Sequence, residues 1–275
     1  MKSAILIVGG ERSLDRASEQ LRKNLLEPNH PVLFFALETD DPQRVLRHFD
    51  GYEIGGSMLI PTFRTGEYHH VESMCMGRPA FAEETYIRAM NTDGICWSRD
   101  YPMRSGVIIQ FYQLWKAWCL LLEYERKHQM KFDFCVKWRA DMLITQPLVF
   151  ADIPETGTEY ELRSMGNRHM TEHGTPDRKD GYYEHGYGHP IKDNIVWAFG
   201  PDQIFMSKRK NFEALGNMIL YHGLWDSGGP FPFNGESFMH QFCEHHQLLH
   251  WVFLEKDWPM YSYSPESTSM MTILR

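Results

Sequence analysis

Cysteine is scarce in this chain of 275 residues. Cys75, Cys96, Cys119, Cys135 and Cys243 are odd in number, widely spaced, and form no Cys-x-x-Cys. That pattern argues against a disulfide framework and predicts reduced, buried thiols in a reducing compartment. Long apolar runs are missing too. The longest, Val107 to Leu122, is broken by Gln110, Gln113 and Lys116 and falls short of a membrane span. After Met1-Lys2 the apolar residues Ala4-Ile5-Leu6-Ile7-Val8 stop at Gly9-Gly10-Glu11-Arg12. They are too few for the core of a signal peptide and read instead as a first strand. Positive charge is in deficit: 28 Lys and Arg against 36 Asp and Glu leave a net charge of −8. A surface for nucleic acid or anionic lipid needs a positive field, so both partners are disfavoured, although a local basic site for one small anion is not. Neither G-x-G-x-x-G nor G-x-x-x-x-G-K-[ST] occurs, which removes the dinucleotide fingerprint and the phosphate loop. No internal repeat is visible. These absences lead us to expect a soluble, intracellular, cytoplasmic protein with no membrane span and no nucleic-acid partner.

Aromatic residues are what the chain has in plenty: 8 Trp, 13 Tyr and 17 Phe. They are ample for a core, and the same residue types build sugar-stacking sites. The length admits one large domain or two small ones. Residues 4–8 have the apolar, β-branched character of a strand buried on both faces. Ser13 is a candidate N-cap for a helix carrying Leu14, Ala17, Leu21 and Leu25 at helical spacing, which Pro28 should close. Val32 to Leu37 reads as a second strand. Strand, helix and strand within about 40 residues make a βαβ unit, hence an α/β fold with a parallel sheet.

Residues 53–105 read as loops with one helical piece near 81–90. A long helix, with Ser105 as a candidate cap, should run to about residue 128. Gln110, Gln113 and Lys116 would form a narrow polar stripe on that otherwise apolar cylinder, which should lie flat on the sheet. A central strand then leaves the sheet at Asp141. Residues 163–190 read as a long polar loop, 194–199 as a strand, 201–215 as a helix, about 235–247 as another, and 249–254 as a last strand. The run Lys208-Arg209-Lys210 is expected on a solvated helix surface.

The strongest chemical signal is Lys137-x-Arg139-x-Asp141. Alternation sends these side chains to one face of the strand and Val136 and Trp138 to the other. At the carboxyl end of a parallel strand they would stand where open α/β sheets bind ligands. A carboxylate beside cations suits a metal-diphosphate: Mg²⁺ or Mn²⁺ takes one or two carboxylates and completes its shell with phosphate and water, and Arg139 can hold a phosphate oxygen. The competing reading is a structural ion pair between Arg139 and Asp141.

Four stretches together resemble a known family. They are Ile5-Leu6-Ile7-Val8-Gly9-Gly10-Glu11-Arg12 running through Leu25-Leu26-Glu27-Pro28-Asn29, then Phe132-Asp133-Phe134-Cys135-Val136-Lys137-Trp138-Arg139-Ala140-Asp141, Asp193 to Gly200, and Gly235-Glu236-Ser237-Phe238-Met239. The chain resembles GT-A-type glycosyltransferases of the WavE-like lipopolysaccharide type and related viral and algal proteins, with R-x-D standing where other GT-A enzymes carry D-x-D. The resemblance implies one GT-A-like domain over 1–275, with a Rossmann-like, mostly parallel sheet flanked by helices. Residues 1–145 would be the nucleotide-sugar half and 146–275 the acceptor half. It implies sugar transfer from a nucleotide-sugar donor to a hydroxyl of a glycan or glycoprotein acceptor. Gly9, Gly10, Arg12, Lys137, Arg139 and Asp141 would then bind the donor, with or without Mn²⁺ or Mg²⁺. His30-Pro31-Val32-Leu33 departs from the family's Asp-containing second strand, and Gly235 replaces a proline.

Sugar transfer develops negative charge on the leaving diphosphate, and an inverting enzyme also needs a carboxylate base. Asp193 is the first candidate base and Glu236 the second. The alternatives are a turn-capping aspartate and a first-turn acid that favours its helix dipole. Tyr182, Tyr183 and Tyr187 lie in a polar loop where all three cannot be core, so sugar or acceptor stacking is the expectation there. His169/His173, His185/His189 and His246/His250 have i, i+4 spacing, but only the last pair falls in a plausible helix and it lacks the H-E-x-x-H glutamate. His189 is the histidine we expect to complete a metal shell with Asp141, if one forms. The competing function is a non-catalytic carbohydrate- or nucleotide-binding protein on a degenerate transferase fold. A nucleotide-dependent hydrolase is disfavoured by the missing phosphate loop.

Overall fold

The computed structural model describes residues 1–61, 104–153, 195–199, 203–220, 239, 242–243, 246, 248–253, 261–262 and 271–273. Strand β1 (Ser3–Gly10) pairs in parallel with β2 (Val32–Glu38) on one side and with β4 (Phe134–Arg139) on the other. Outside β2 lies β3 (Ile54–Ile60), also parallel. Beyond β4 follow β7 (Ile204–Lys208), β6 (Ile195–Phe199) and β8 (Leu249–Phe253). The seven-stranded order is therefore β3-β2-β1-β4-β7-β6-β8, with β7 antiparallel to both of its neighbours. A second sheet joins β5 (Met142–Ile144), β10 (Met271–Ile273) and β9 (Tyr261–Ser262). The fold is α/β, with a mixed, mostly parallel sheet packed against helices. No helix among the described residues is long and apolar enough to cross a membrane.

Both faces of the sheet are covered, as parallel strands require. On one face lies α4 (Arg104–His128), whose Phe111, Leu114, Trp118 and Leu121 bury against Leu6, Val8, Phe34 and Ala36. The opposite face meets α1 (Leu14–Leu21), where Leu14, Leu21 and the following Leu25 pack on Ile5, Ile7, Phe35 and Leu37, and the short α3 (Pro42–Arg47) adds Val45 to the same core. Each such fully buried side chain contributes about 1.5–3 kcal/mol of transfer free energy. Trp138 and Trp197 are core residues, as expected; Trp97, Trp225 and Trp258 lie outside the described residues. Cys119, Cys135 and Cys243 carry free thiols, and burial pushes all three upward from the ordinary thiol range.

Several local expectations are corrected. Ser13 makes no side-chain cap; a 3-10 turn, Glu11–Ser13, leads into α1 and leaves Ser13 buried. Pro28 does not close the helix. The chain widens into a π-turn at Arg22–Leu26, and Pro28 sits within a last turn α2 (Glu27–Asn29) that ends at left-handed His30. Proline has no N–H for the carbonyl four residues back, and that carbonyl, on Asn24, accepts Leu148 N at 2.8 Å instead. Asn29 adds Nδ2 to Leu148 O at 2.7 Å and accepts Phe150 N at 2.8 Å on Oδ1. The Leu-Leu-Glu-Pro-Asn stretch thus clamps the segment that follows β5.

The helix expected over 201–215 is strand β7 followed by α5 (Arg209–Gly216). Arg209 is not solvated: it is buried, pairs with Glu125 at 2.8 Å, and lies over the Trp118 ring. Strand β3, read as loop, contains Gly55-Gly56. A Cβ on Gly55 would meet the Phe34 ring at 2.4 Å, so packing across the strand pair demands the glycine.

Candidate functional site

Successive strands run from β1 outward to β2 and β3, and the chain then returns to place β4 on the other side of β1. That reversal makes the β1/β4 junction the switch point of the sheet, where the carboxyl ends of open α/β sheets leave a crevice for ligand. Register places Val8 opposite Arg139, and Ala140 N donates to Val8 O at 3.0 Å. Gly9 follows with φ +118°, a backbone state that side chains rarely adopt, and a Cβ there would stand 3.8 Å from Ala140 N. Gly9 and Gly10 still pair with Leu37 and Glu38 of β2, so β1 runs two residues past its last pair with β4.

Arg139 and Asp141 meet at this junction. Arg139 Nε donates to Asp141 Oδ1 at 2.9 Å and Nη2 to Oδ2 at 2.5 Å, a fork against a carboxylate with both side chains about one-quarter exposed. Arg12, in the 3-10 turn after Gly10, is exposed, and its Nε lies 3.7 Å from where a Gly10 Cβ would stand. Lys137 lies deeper on the same strand: opposite Leu6 and fully buried, with Nζ 5.4 Å from the centre of the Phe205 ring. Phe205 belongs to the core on the α4 face and Trp138 to the opposite core, so the two sides of β4 separate as the alternation predicts.

Two contributors to this rim escaped the sequence reading. Gln113, buried in the middle of α4, donates Nε2 to Gly9 O at 3.0 Å. Its place in a polar stripe was visible, but its partner 104 positions away was not. Glu11 is the other. It accepts Thr39 Oγ1 at 2.7 Å and pairs with Arg44 Nη2 at 2.8 Å, tying the turn after β1 to the end of β2. The hydrogen bond that Arg44 donates to Glu11, reinforced by the carboxylate's charge, raises the Arg44 guanidinium above its ordinary value.

Gly9, Gly10, Arg139 and Asp141 are thus brought to one place, with Arg12 in the adjoining turn. Asp193, Glu236, Tyr182, Tyr183, Tyr187 and His189 lie outside the described residues. His246 packs on the Phe242 ring, and among the described residues no three His, Cys, Asp or Glu side chains form a metal cluster. Both carboxylate oxygens of Asp141 accept from Arg139, each keeping one further lone pair. Chemically the rim offers a guanidinium held by a carboxylate beside the glycine-bearing end of β1, a combination suited to an anionic oxygen group.

No protein-family model matches the chain, and no curated protein matches it.

Proposed function

We propose that the protein is a glycosyltransferase that moves a sugar from a nucleotide-sugar donor to a glycan hydroxyl, on a GT-A-like fold. The observation that carries this reading is the Arg139–Asp141 fork beside Gly9 at the switch point of a mostly parallel sheet. A nucleoside diphosphate leaving group gathers negative charge as the glycosidic bond breaks, and a fixed guanidinium stabilises that charge. Asp193 is our proposed base for the acceptor hydroxyl and Glu236 the second choice, with Tyr182, Tyr183 and Tyr187 stacking against acceptor sugar. The same closed ion pair favours one alternative, a nucleotide- or glycan-binding protein without turnover.

A thermal-shift screen of nucleoside diphosphates and nucleotide sugars, with and without Mn²⁺, tests the reading. A ligand at 100 times its Kd stabilises by about 2.7 kcal/mol. No shift with any of them removes the transferase. Binding without release of nucleoside diphosphate in the presence of glycan acceptors selects the binding protein. Asp193→Asn turning over like the wild type removes that residue as base.

A further inference from the structure

We propose that Asn24 is a positioning residue for the rim: through its bond to Ile144 it fixes the strand that leaves Asp141, and so the place of Asp141 beside Arg139 and the end of β1. This rests on the donor site proposed above and names a residue outside it that holds its shape, whichever rim group meets the diphosphate and whether or not a metal ion takes part.

Asp141 stands in the turn between β4 and β5, so its place depends on how both strands are held. The β4 side is fixed to the large sheet by its pairing with β1 and by Ala140 N, which donates to Val8 O at 3.0 Å. The β5 side belongs to the second sheet and pairs with β10, so among the described residues no strand of the large sheet holds it. Met142 and Ile144 are buried in the core on the α1 face, which sets the depth of β5. Apolar burial is non-directional, and a hydrogen bond with its narrow geometry is what stops the strand sliding along its own axis. Asn24 supplies that bond. Its Nδ2 donates to Ile144 O at 2.8 Å, and a second bond to Gln20 Oε1 at 3.0 Å holds the amide in place. At about 3.3 Å per residue, this anchor lies only about 10 Å of extended chain from Asp141. The same segment grips the chain further on: Asn24 O accepts Leu148 N, and Asn29 bonds Leu148 O and Phe150 N. These groups come from the π-turn and the turn after it, and such widened turns are frequent at functional sites. An apolar side chain in place of Asn24 takes the donor from Ile144 O, frees β5 to shift, and lets the Asp141 carboxylate move against Arg139.

Isothermal titration of the full chain with UDP and with GDP, each in EDTA and in Mn²⁺, tests the assignment. Wild type, Asn24→Leu, Asp141→Asn and the double variant are compared well below the Tm of each, so that every protein is folded. For whichever nucleotide binds, Asn24→Leu should weaken the Kd by about fivefold or more, because small misplacements of binding groups are costly. In the Asp141→Asn background the same change should weaken it clearly less, because the two residues act through one turn. A merely structural asparagine would lower the Tm and leave the Kd alone. Where far-UV circular dichroism shows that Asn24→Leu does not fold, Asn24→Ser is read by the same criteria. An Asn24 variant that binds within about twofold of the wild type, or whose effect is undiminished beside Asp141→Asn, overturns the assignment while leaving a donor site in place. Failure of UDP, GDP and every nucleotide sugar to bind the wild type in both buffers overturns the donor site itself, and this assignment with it.

Discussion

Gln113 reaches from the centre of α4 to the carbonyl of Gly9, donating Nε2 at 3.0 Å, so the helix that covers one face of the sheet also holds the end of β1 at the switch point. Gln113 is buried and Gly9 half-buried, so the bond is only partly shielded from water. Gln113→Leu should therefore destabilise by about 0.5–1.5 kcal/mol in urea denaturation. If Gly9 lies in a donor site, the same variant should also weaken nucleotide binding by more than its loss of Tm explains.

Glu125 and Arg209 make the second long-range polar pair. Nε and Nη2 of Arg209 each lie 2.8 Å from a Glu125 oxygen, and Phe132 N also donates to Glu125 at 3.1 Å, so the carboxylate joins α4, the entry to β4 and the start of α5. Both side chains are less than one-tenth exposed. Glu125→Ala leaves the buried guanidinium only the exposed Glu213, 3.4 Å from Nη1, and should cost about 3 kcal/mol. Removing both charges with Glu125→Leu and Arg209→Met should cost clearly less than the single change. Denaturant midpoints for the three proteins decide this, and an equal loss in both would show that the pair itself supplies the stability.

Tyr124 makes stability fall at high pH. Its hydroxyl donates to Glu53 Oε1 at 2.5 Å, and this bond, aided by burial, pushes the phenol up to about 12. An unfolded tyrosine ionises near 10. Because the folded value is the higher one, the contribution is complete below about pH 10 and is lost as pH rises through about 12. Ultraviolet absorbance titration should show one late-ionising phenol that disappears in Tyr124→Phe. In Glu53→Gln, Tyr124 should ionise closer to its ordinary value.

Gly216, the last residue of α5, lies against Trp118 of α4. A Cβ there would come within 2.4 Å of the indole. Glycine to alanine in a helix ordinarily stabilises by roughly 0.5–1 kcal/mol. Here the ring belongs to the packed core, so Gly216→Ala should lower stability by about 1–3 kcal/mol through overpacking. A raised Tm would mean that the indole shifts freely.

Legibility in the sequence followed the range of each interaction. The βαβ opening, α4, β4 and β8 were readable because apolar spacing repeats within each segment, and 163–190 is a stretch whose reading lies outside the described residues. Strand β3 was missed because Gly55-Gly56 looks like loop until Phe34 is known to need the space. Strand β7 was folded into a helix reading because Ile204 to Lys208 runs directly into Arg209, where the helix begins. The charge run there misled for the same reason: its middle arginine faces a glutamate 84 positions earlier.

The candidate site divides along the same line. Local alternation along residues 134–139 was enough to put Lys137 and Arg139 on one face, and the spacing of Arg139 and Asp141 was enough to bring a cation and a carboxylate together. Which strand lies beside them, that β1 ends there in Gly9 and Gly10, and that Gln113 anchors that end emerged only from the assembled sheet. Periodicity reports which side of an element is apolar. It carries no information about neighbours, because strand order and register are set by burying all the apolar faces at once, across separations of more than a hundred residues.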